Sequence, residues 1–271
     1  MTWRLPMPVW QALFFVAPLL FMLVVTFFAV KNYRMEPGFV PENWFKVLSR
    51  DIFWKTYAHT WLMAGLATAL ASLLAFPAAF ALAFKASDNV RRWAVFFLII
   101  PFFTSYLVRT YAWTVILAEN GVINRSLVEF GIGPYRMLYA TTGTIIGYLT
   151  LSLPLVLILQ TFALAAVDRR LVEAARNLGC PPFRTIFTTI IPLAKVGLII
   201  AALFCFILSF GDFVAPYYLG GSAPPTLPIM VIDTTKSGQQ WPRASVIAVI
   251  MMATLFVVAF VAVSAAYRKP K

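Results

Sequence analysis

Few residues of this 271-residue chain have the type and spacing that covalent chemistry requires. The chain has one histidine, His59, and two cysteines, Cys180 and Cys205, which form neither a metal-ligand pattern nor a catalytic pair. It contains no Gly-x-Ser-x-Gly element and no Gly-Lys-Ser/Thr loop that could cradle a phosphate. An intramembrane aspartyl protease needs a pair of membrane aspartates, including one in Gly-x-Gly-Asp, and the nearest segment, residues 209–212, lacks the first glycine. The sequence therefore predicts a protein that is not an enzyme and binds no ATP itself.

Two charged residues, Arg109 and Asp212, lie inside long apolar runs. A charge within a bilayer is costly unless it is paired or hydrated. If each run is one uninterrupted helix, Arg109 lies about 24 Å and Asp212 about 28 Å from its inner end, at 1.5 Å per residue. Two interpretations stay open. The charges form a structural ion pair or reach the headgroups, or they face a translocation cavity near its outer gate, with Tyr111 and Trp113 close by.

A polar, helix-forming segment, residues 168–192, separates two of the apolar runs. Asp168 is suited to cap a helix and Gly179 to end it, and Pro181 and Pro182 can open the next helix. The first helix carries a narrow stripe of mostly small apolar residues at helical spacing, formed by Leu171, Ala174, Ala175 and Leu178. This helix is too small to make a core of its own, and we expect it to dock into a groove on another protein.

The composition predicts an all-α membrane protein. Hydrophobic residues make up 61% of the chain and charged residues only 12%, which reverses the balance of a soluble domain. A bilayer-spanning helix needs about 20 apolar residues. Runs of that length occupy residues 9–30, 60–84, 93–118, 137–167, 193–218 and 244–267, so we expect six transmembrane helices. Prolines within these runs, at Pro77, Pro101 and Pro154, should kink or end the helices locally.

The distribution of charge predicts the topology. A net charge of +12 would suggest nucleic acid in a soluble protein. Here the basic excess is concentrated in the loops that share a side with both termini, which the positive-inside rule places in the cytoplasm. We therefore expect a multi-pass protein in contact with membrane lipid, with no nucleic acid partner. The first apolar run is too long for a cleavable signal peptide and has no cleavage site after it, so it reads as a retained span.

The polar segment also resembles a known loop. Glu173-Ala174-Ala175, followed by Gly179 and after a fixed gap by Pro192, resembles the EAA loop of bacterial ABC importer permeases. In that family the loop is a cytoplasmic coupling helix that seats in the ATP-hydrolysing subunit. The resemblance implies that ATPase coupling belongs to Glu173, Ala174, Ala175, Arg176 and Gly179. The alternative interpretation of the same spacing is an ordinary amphipathic loop between membrane helices.

Two further segments narrow the resemblance. Residues 101–113, with Gly121 and Asn124 following, resemble the third-span signature of spermidine/putrescine-type permeases. Residues 209–216, followed by Leu219-Gly220-Gly221, resemble the fifth-span exit of the same group. With the EAA loop, the resemblance covers roughly residues 60–267. This branch also includes permeases for opines, amino-acid derivatives and aminophosphonates.

The resemblance implies a type I ABC importer permease fold with six transmembrane helices and a cytoplasmic coupling helix. The implied organisation is an N-terminal span with an extracytoplasmic interfacial segment (1–59), the transmembrane domain (60–267) and a cytoplasmic tail (268–271). The implied partners in the bacterial inner membrane system are a second homologous permease, two cytoplasmic ATPase subunits and an extracytoplasmic solute-binding protein. ATP and Mg²⁺ would bind the ATPase, and this chain would hold no cofactor.

The implied substrate is a small nitrogenous solute, with a polyamine as the first expectation. An opine, an amino-acid derivative or an aminophosphonate is the alternative within the same fold. A secondary transporter or channel is the alternative of another class. Such a protein would have no reason for a docking helix and usually shows inverted repeats or more spans, neither of which is present.

Overall fold

The structure is a computed structural model that describes residues 6–268. The described chain is helical apart from one short hairpin, in which β1 (Ala29–Lys31) and β2 (Arg34–Glu36) pair antiparallel with Val30 opposite Met35. In chain order the α-helices are α1 (Pro6–Gln11), α2 (Ala17–Val25), α3 (Glu42–Leu48), α4 (Asp51–Phe84), α5 (Asp88–Ile99), α6 (Tyr106–Leu117), α7 (Val122–Glu129), α8 (Thr141–Ala165), α9 (Arg169–Asn177), α10 (Pro182–Thr185), α11 (Ile191–Gly211), α12 (Val214–Tyr218), α13 (Leu227–Lys236) and α14 (Trp241–Tyr267).

The fold is that of an all-α membrane protein. Four helical segments of the described chain are long and apolar enough to cross a bilayer: α4, α8, α14 and Pro182–Gly211, in which a π-helical turn joins α10 to α11. Helices α5 and α6 lie in a bent pair that makes a fifth span if it crosses as one unit. The first apolar run gives a shorter helical stretch, Val9–Val25. The count of six transmembrane helices stays a prediction.

Two of the expected spans are interrupted: the run 193–218 breaks between Gly211 and Val214, and the break in the run 93–118 corrects the depth inferred for Arg109. The chain turns by 92° between Asp88–Phe103 and Tyr106–Glu129, so the rise from the start of this run to Arg109 is not that of a straight helix. The break follows Pro101, as predicted, because proline cannot donate the backbone hydrogen bond that continues a helix. Pro77 and Pro154, by contrast, lie inside helices α4 and α8, which continue past them.

The chain forms two compact units, and the larger comprises Trp61–Ala223 with Phe256–Lys271. Its core is built on a stripe of alanines along α4, each no more than 2% exposed, at Ala67, Ala71, Ala75, Ala79 and Ala83. Large side chains of α8 and small ones of α11 pack against this stripe, among them Tyr148, Val156, Leu164, Ala194 and Ala201. Small residues let membrane helices approach closely, so these alanines fix the distance between α4 and its neighbours.

The smaller unit comprises Met1–Thr60 with Pro224–Leu255. Helix α3 is fixed to the end of α2 because the Asn43 amide donates to the carbonyl oxygens of Thr26 and Phe28 at 2.9 and 3.0 Å. The Trp44 indole also donates to the Thr26 hydroxyl at 3.2 Å. At the start of α13, the backbone N–H of Leu227 donates to the Thr60 hydroxyl of α4 at 2.9 Å. Side-chain hydrogen bonds therefore hold the polar segments of this unit in place.

A matched pair of glycine substitutions tests the close packing of α8 on α11. Gly197→Ala should lower the apparent melting temperature of the detergent-purified protein, because the new methyl group would collide with Ala163. Overpacking of this kind typically costs about 1–3 kcal/mol. Gly65 of α4 has no atom within 4 Å of its would-be Cβ, so Gly65→Ala should be neutral or slightly stabilising. Equal losses in both variants would contradict the packing described.

Candidate translocation and coupling sites

Asp212 lies where the membrane helix α11 ends and the chain turns toward α12. One carboxylate oxygen accepts from the backbone N–H of Val214 at 3.0 Å. The other accepts from the N–H of Ala215 at 3.0 Å and from the Tyr106 hydroxyl at 2.7 Å. The residue is only 8% exposed. The Asp212 side chain therefore accepts the free N–H groups in the first turn of α12 and also bonds α6 to the end of α11.

Tyr106 is the first residue of α6, directly after the break in the third apolar run. The Arg109 guanidinium lies one turn further on, 5.9 Å from the centroid of the Tyr106 ring. Arg109 also donates to the backbone carbonyl oxygen of Thr150 in α8 at 3.2 Å. We call Tyr106, Arg109, Thr150 and Asp212 the membrane polar cluster. It brings together three helical segments of the larger unit.

The two membrane charges are not an ion pair. Within residues 6–268, no arginine or lysine nitrogen lies within 4.0 Å of the Asp212 carboxylate. The Tyr106 side chain stands between them, since its hydroxyl bonds Asp212 and its ring faces Arg109. Of the two interpretations that the sequence left open, the direct pairing of Arg109 with Asp212 is therefore wrong.

Several polar atoms near this cluster are buried without a hydrogen-bond partner in the described chain. They are Nε of Arg109, the Tyr148 hydroxyl and the Ser209 hydroxyl. An unsatisfied buried polar group costs about 1–3 kcal/mol and is met in most proteins by water, a ligand or an alternative conformation. The surroundings of the membrane polar cluster thus contain polar groups whose hydrogen bonds are unmet within the described chain.

The two aromatic residues predicted to lie near the charges behave differently. Tyr111 is 59% exposed and its ring centroid is 5.9 Å from that of Tyr218, which packs in turn on Tyr217. Trp113 is half-buried on the same helix and joins no ring contact or side-chain hydrogen bond in residues 6–268. Sequence reasoning missed Tyr106 and Tyr218. The position of Tyr106 after the break, one turn before Arg109, was the available signal.

Other residues of the third-span motif are structural. The Asn124 side chain is fully buried and donates to the carbonyl oxygens of Ala118 and Tyr135, while its own oxygen accepts from the N–H of Tyr135. Gly121 is required because a Cβ there would lie 2.9 Å from the carbonyl oxygen of Ala118. These residues shape the connection that follows α6.

The predicted coupling helix is α9, and its boundaries follow the capping residues seen in the sequence. The Asp168 carboxylate accepts from the N–H of Arg170 at 2.9 Å and so caps the first turn. Gly179 has φ of +82°, a conformation that glycine adopts at little cost, and it follows the end of the helix. Pro181 and Pro182 then open α10, as predicted.

Helix α9 is attached to the membrane core along one side and free on the other. Val172 is buried among Ala79, Ala83 and Leu164, and the Arg169 guanidinium donates to the carbonyl oxygen of Ala83 at 3.1 Å. The free side carries exposed residues of the predicted stripe, with Leu171 49% and Leu178 89% exposed. Glu173, Ala174 and Arg176 are exposed, and Ala175 is half-buried. The helix therefore presents an uncovered surface at the end of a rigid support.

Comparison with solved structures gives the fold. A bacterial ABC transporter involved in the import of the acidic polysaccharide alginate has a chain of the same fold, with a TM-score of 0.77. The match covers 99% of this chain and 94% of that one at 14% sequence identity. The fold is therefore that of an ABC transporter permease.

Comparison of sequences then gives the family. Residues 71–270 match the family described as binding-protein-dependent transport system inner membrane component, and this chain belongs to that family. It is 30% identical over 258 residues to the spermidine/putrescine transport system permease protein PotB of Haemophilus influenzae, which covers 92% of this chain and 88% of the relative. The PotB protein of Escherichia coli K12 is 30% identical over 217 residues, which cover 79% of this chain and 78% of that protein. The resemblance to ABC importer permeases is thus confirmed, and the chain is a permease subunit.

Two substitutions of Asp212 separate its structural role from its charge. Asp212→Ala removes an acceptor used by three donors and should lower stability by about 3 kcal/mol. Asp212→Asn keeps one acceptor oxygen and should melt closer to the wild type, yet lose most solute uptake if the charge serves transport. Uptake into membrane vesicles and the melting temperature are the two measurements.

Asp88→Ala is the control, because Asp88 is exposed at the start of α5 and its one ion pair within residues 6–268 is with Arg91. Its effect on stability should stay below about 1 kcal/mol. Full uptake by Asp212→Asn would show that the carboxylate serves only to cap the helix.

Proposed function

We propose that this chain is one permease of an ATP-driven, binding-protein-dependent importer for a small nitrogenous solute of the polyamine type. Relatedness to spermidine/putrescine permeases across most of the chain, at 30% identity, is the observation that carries the substrate class. In this proposal both termini are cytoplasmic, a second homologous permease completes the pathway, and an extracytoplasmic binding protein delivers the solute. Two cytoplasmic ATPase subunits bind ATP and Mg²⁺ and supply the energy.

The coupling step rests on how α9 is attached. Its buried residue Val172 and the bond from Arg169 to the carbonyl of Ala83 connect it to the last turns of α4. Movement of an ATPase subunit that holds the exposed side of α9 would therefore be passed to α4 without a flexible link. Glu173, Ala174, Ala175, Arg176 and Gly179 are the residues to which we assign this contact. Closure of the ATPase pair on ATP would then drive the permease between its inward-open and outward-open states.

The transport pathway is proposed to pass the membrane polar cluster. Both interrupted spans meet there, and a broken helix can change the direction of its halves while long helices stay intact. We assign Arg109, Tyr111, Trp113 and Asp212 to the pathway near its outer gate. The exposed rings of Tyr111 and Tyr217 offer faces that attract an organic ammonium group. This chemistry suits an amine-bearing solute.

The coupling assignment is tested by Glu173→Lys and Gly179→Val. Glu173→Lys reverses a charge at a contact that excludes water, which costs a few kcal/mol, so solute-stimulated ATP hydrolysis should fall about tenfold or more. Gly179→Val strains a residue with positive φ and should misplace the end of α9. Both variants should insert and assemble normally.

Each of these variants has a matched control on α7 or after it. Glu129→Lys makes the same charge reversal at an exposed position, and Gly131→Val imposes the same strain at φ of +75° with no atom within 4 Å. Neither control should reduce stimulation of the ATPase. Normal coupling in both Glu173→Lys and Gly179→Val would overturn the assignment of α9.

The substrate class is tested with the reconstituted complex and its binding protein. Putrescine and spermidine should stimulate ATP hydrolysis and be taken up, whereas sugars and sulfate should do neither. Opines, amino-acid derivatives and aminophosphonates belong in the same panel, because stimulation by one of them alone would keep the permease function and replace the polyamine. A response confined to sugars or sulfate would overturn the nitrogenous class.

A further inference from the structure

The smaller unit contains a polar cavity of about 350 Å³ that plays no part in the function proposed above. It lies between the first turns of α4, the length of α13 and the first turn of α14. Its chemistry comes from six of the lining residues, Arg50, Thr56, Asp233, Thr234, Gln240 and Arg243. On the proposed topology, the starts of α4 and α14 both lie on the extracytoplasmic side.

The cavity has two cationic side chains and one anionic side chain that do not neutralise each other. In the described chain, neither Arg50 nor Arg243 has a carboxylate oxygen within 4.0 Å, so both guanidinium groups are available to a ligand. Helices α4 and α14 both begin here, and the first turn of a helix carries partial positive charge on its free N–H groups. Asp51, the acidic residue in the first turn of α4, is not among the lining residues. The cavity therefore favours an anion.

Two residues that line the cavity also carry a polar atom that is buried and has no hydrogen-bond partner in the described chain. Thr56 is 2% exposed, and its hydroxyl has no hydrogen-bond partner in residues 6–268. Nε of Arg243 is also buried without a partner there. Both groups can donate a hydrogen bond, and buried donors of this kind are almost always satisfied in folded proteins.

We propose that this cavity binds the carboxylate of a small zwitterionic solute of the amino-acid type. Arg50 and Arg243 bind the carboxylate, because a guanidinium pairs with both of its oxygens. Asp233 lines the same cavity and accepts from the amine of the ligand. A diamine is disfavoured because its charges would face two arginines, so this site is distinct from the transport of polyamines and does not depend on it.

The proposal is tested by calorimetric titration of the transporter complex in lipid nanodiscs. The complex is purified with an affinity tag on this chain. Three probes are used. β-Alanine carries both a carboxylate and an amine, acetate carries the carboxylate alone, and putrescine carries amines alone. β-Alanine should bind more tightly than acetate, and putrescine should not compete. Arg243→Gln should lower the affinity for β-alanine roughly tenfold, because one charge-assisted contact is lost. Asp233→Asn should reduce the affinity for β-alanine to the affinity for acetate.

Arg50→Gln repeats the test at an exposed position, where the substitution leaves the fold undisturbed. Arg34→Gln, on the exposed hairpin strand β2, removes the same charge outside the cavity and should leave the titration unchanged. Putrescine uptake, measured in parallel, should be unaffected by Arg50→Gln. A failure of polyamine transport is therefore distinguished from a failure of this site.

An acidic side chain of the binding protein would offer the same carboxylate chemistry, and a second titration separates that source. If β-alanine does not bind, but Arg50→Gln and Arg243→Gln both weaken the affinity for the binding protein while Arg34→Gln does not, the proposal of a small zwitterionic ligand is overturned and the carboxylate belongs to the partner. If neither β-alanine nor the binding protein responds to these substitutions, or if putrescine binds as tightly as β-alanine, the proposal is overturned.

Discussion

A helix that ends inside a bilayer leaves backbone groups without partners, and lipid cannot supply any. Asp212 supplies such partners at the end of α11, where its two oxygens accept from the N–H groups of Val214 and Ala215. The same carboxylate accepts from Tyr106, the first residue after the other break. Without this one side chain, α12 would lose its first-turn bonds and α6 its attachment to α11. The arrangement of the larger unit around its polar cluster depends on it.

The interrupted helices are held against a support that does not bend. The alanine stripe of α4 is buried along five successive turns, and α8 and α11 pack on it with small contacts such as Gly197 against Ala163. Close packing of this kind resists small displacements and allows only larger steps. The membrane core therefore combines a stiff group of long helices with a pair of broken ones. In a transporter, the stiff part can transmit movement and the broken part can respond to it.

Features governed by local rules were predictable from the sequence. Asp168 and Gly179 set the limits of α9, and Pro182 begins α10, because capping depends on residues within one turn. The break after Pro101 was also predictable, but its 92° bend was not, because the direction taken after a break depends on distant contacts such as Tyr106 with Asp212. The depth counted for Arg109 along a straight helix was wrong for that reason.

The polar cavity of the smaller unit escaped sequence reasoning. It brings Arg50 and Arg243 together, and no local pattern relates the two because they meet only when α4 and α14 begin side by side. The predicted coupling helix, α9, rests on a contiguous motif, which the sequence displays directly. The general distinction is between sites contained in one segment and sites assembled by the fold.

The length of α4 has a consequence for the membrane itself. Its 34 residues extend about 51 Å at 1.5 Å per residue, well beyond a hydrocarbon layer of about 30 Å. Tilting within the usual range of about 40° cannot absorb that excess, so part of the helix stands clear of the lipid tails. The alanine stripe marks the stretch that other helices enclose, and the turns around Asp51 are the ones left to emerge into water. Bilayer thickness would then decide how far that end projects, and membranes of different lipid composition would hold the same protein at different heights.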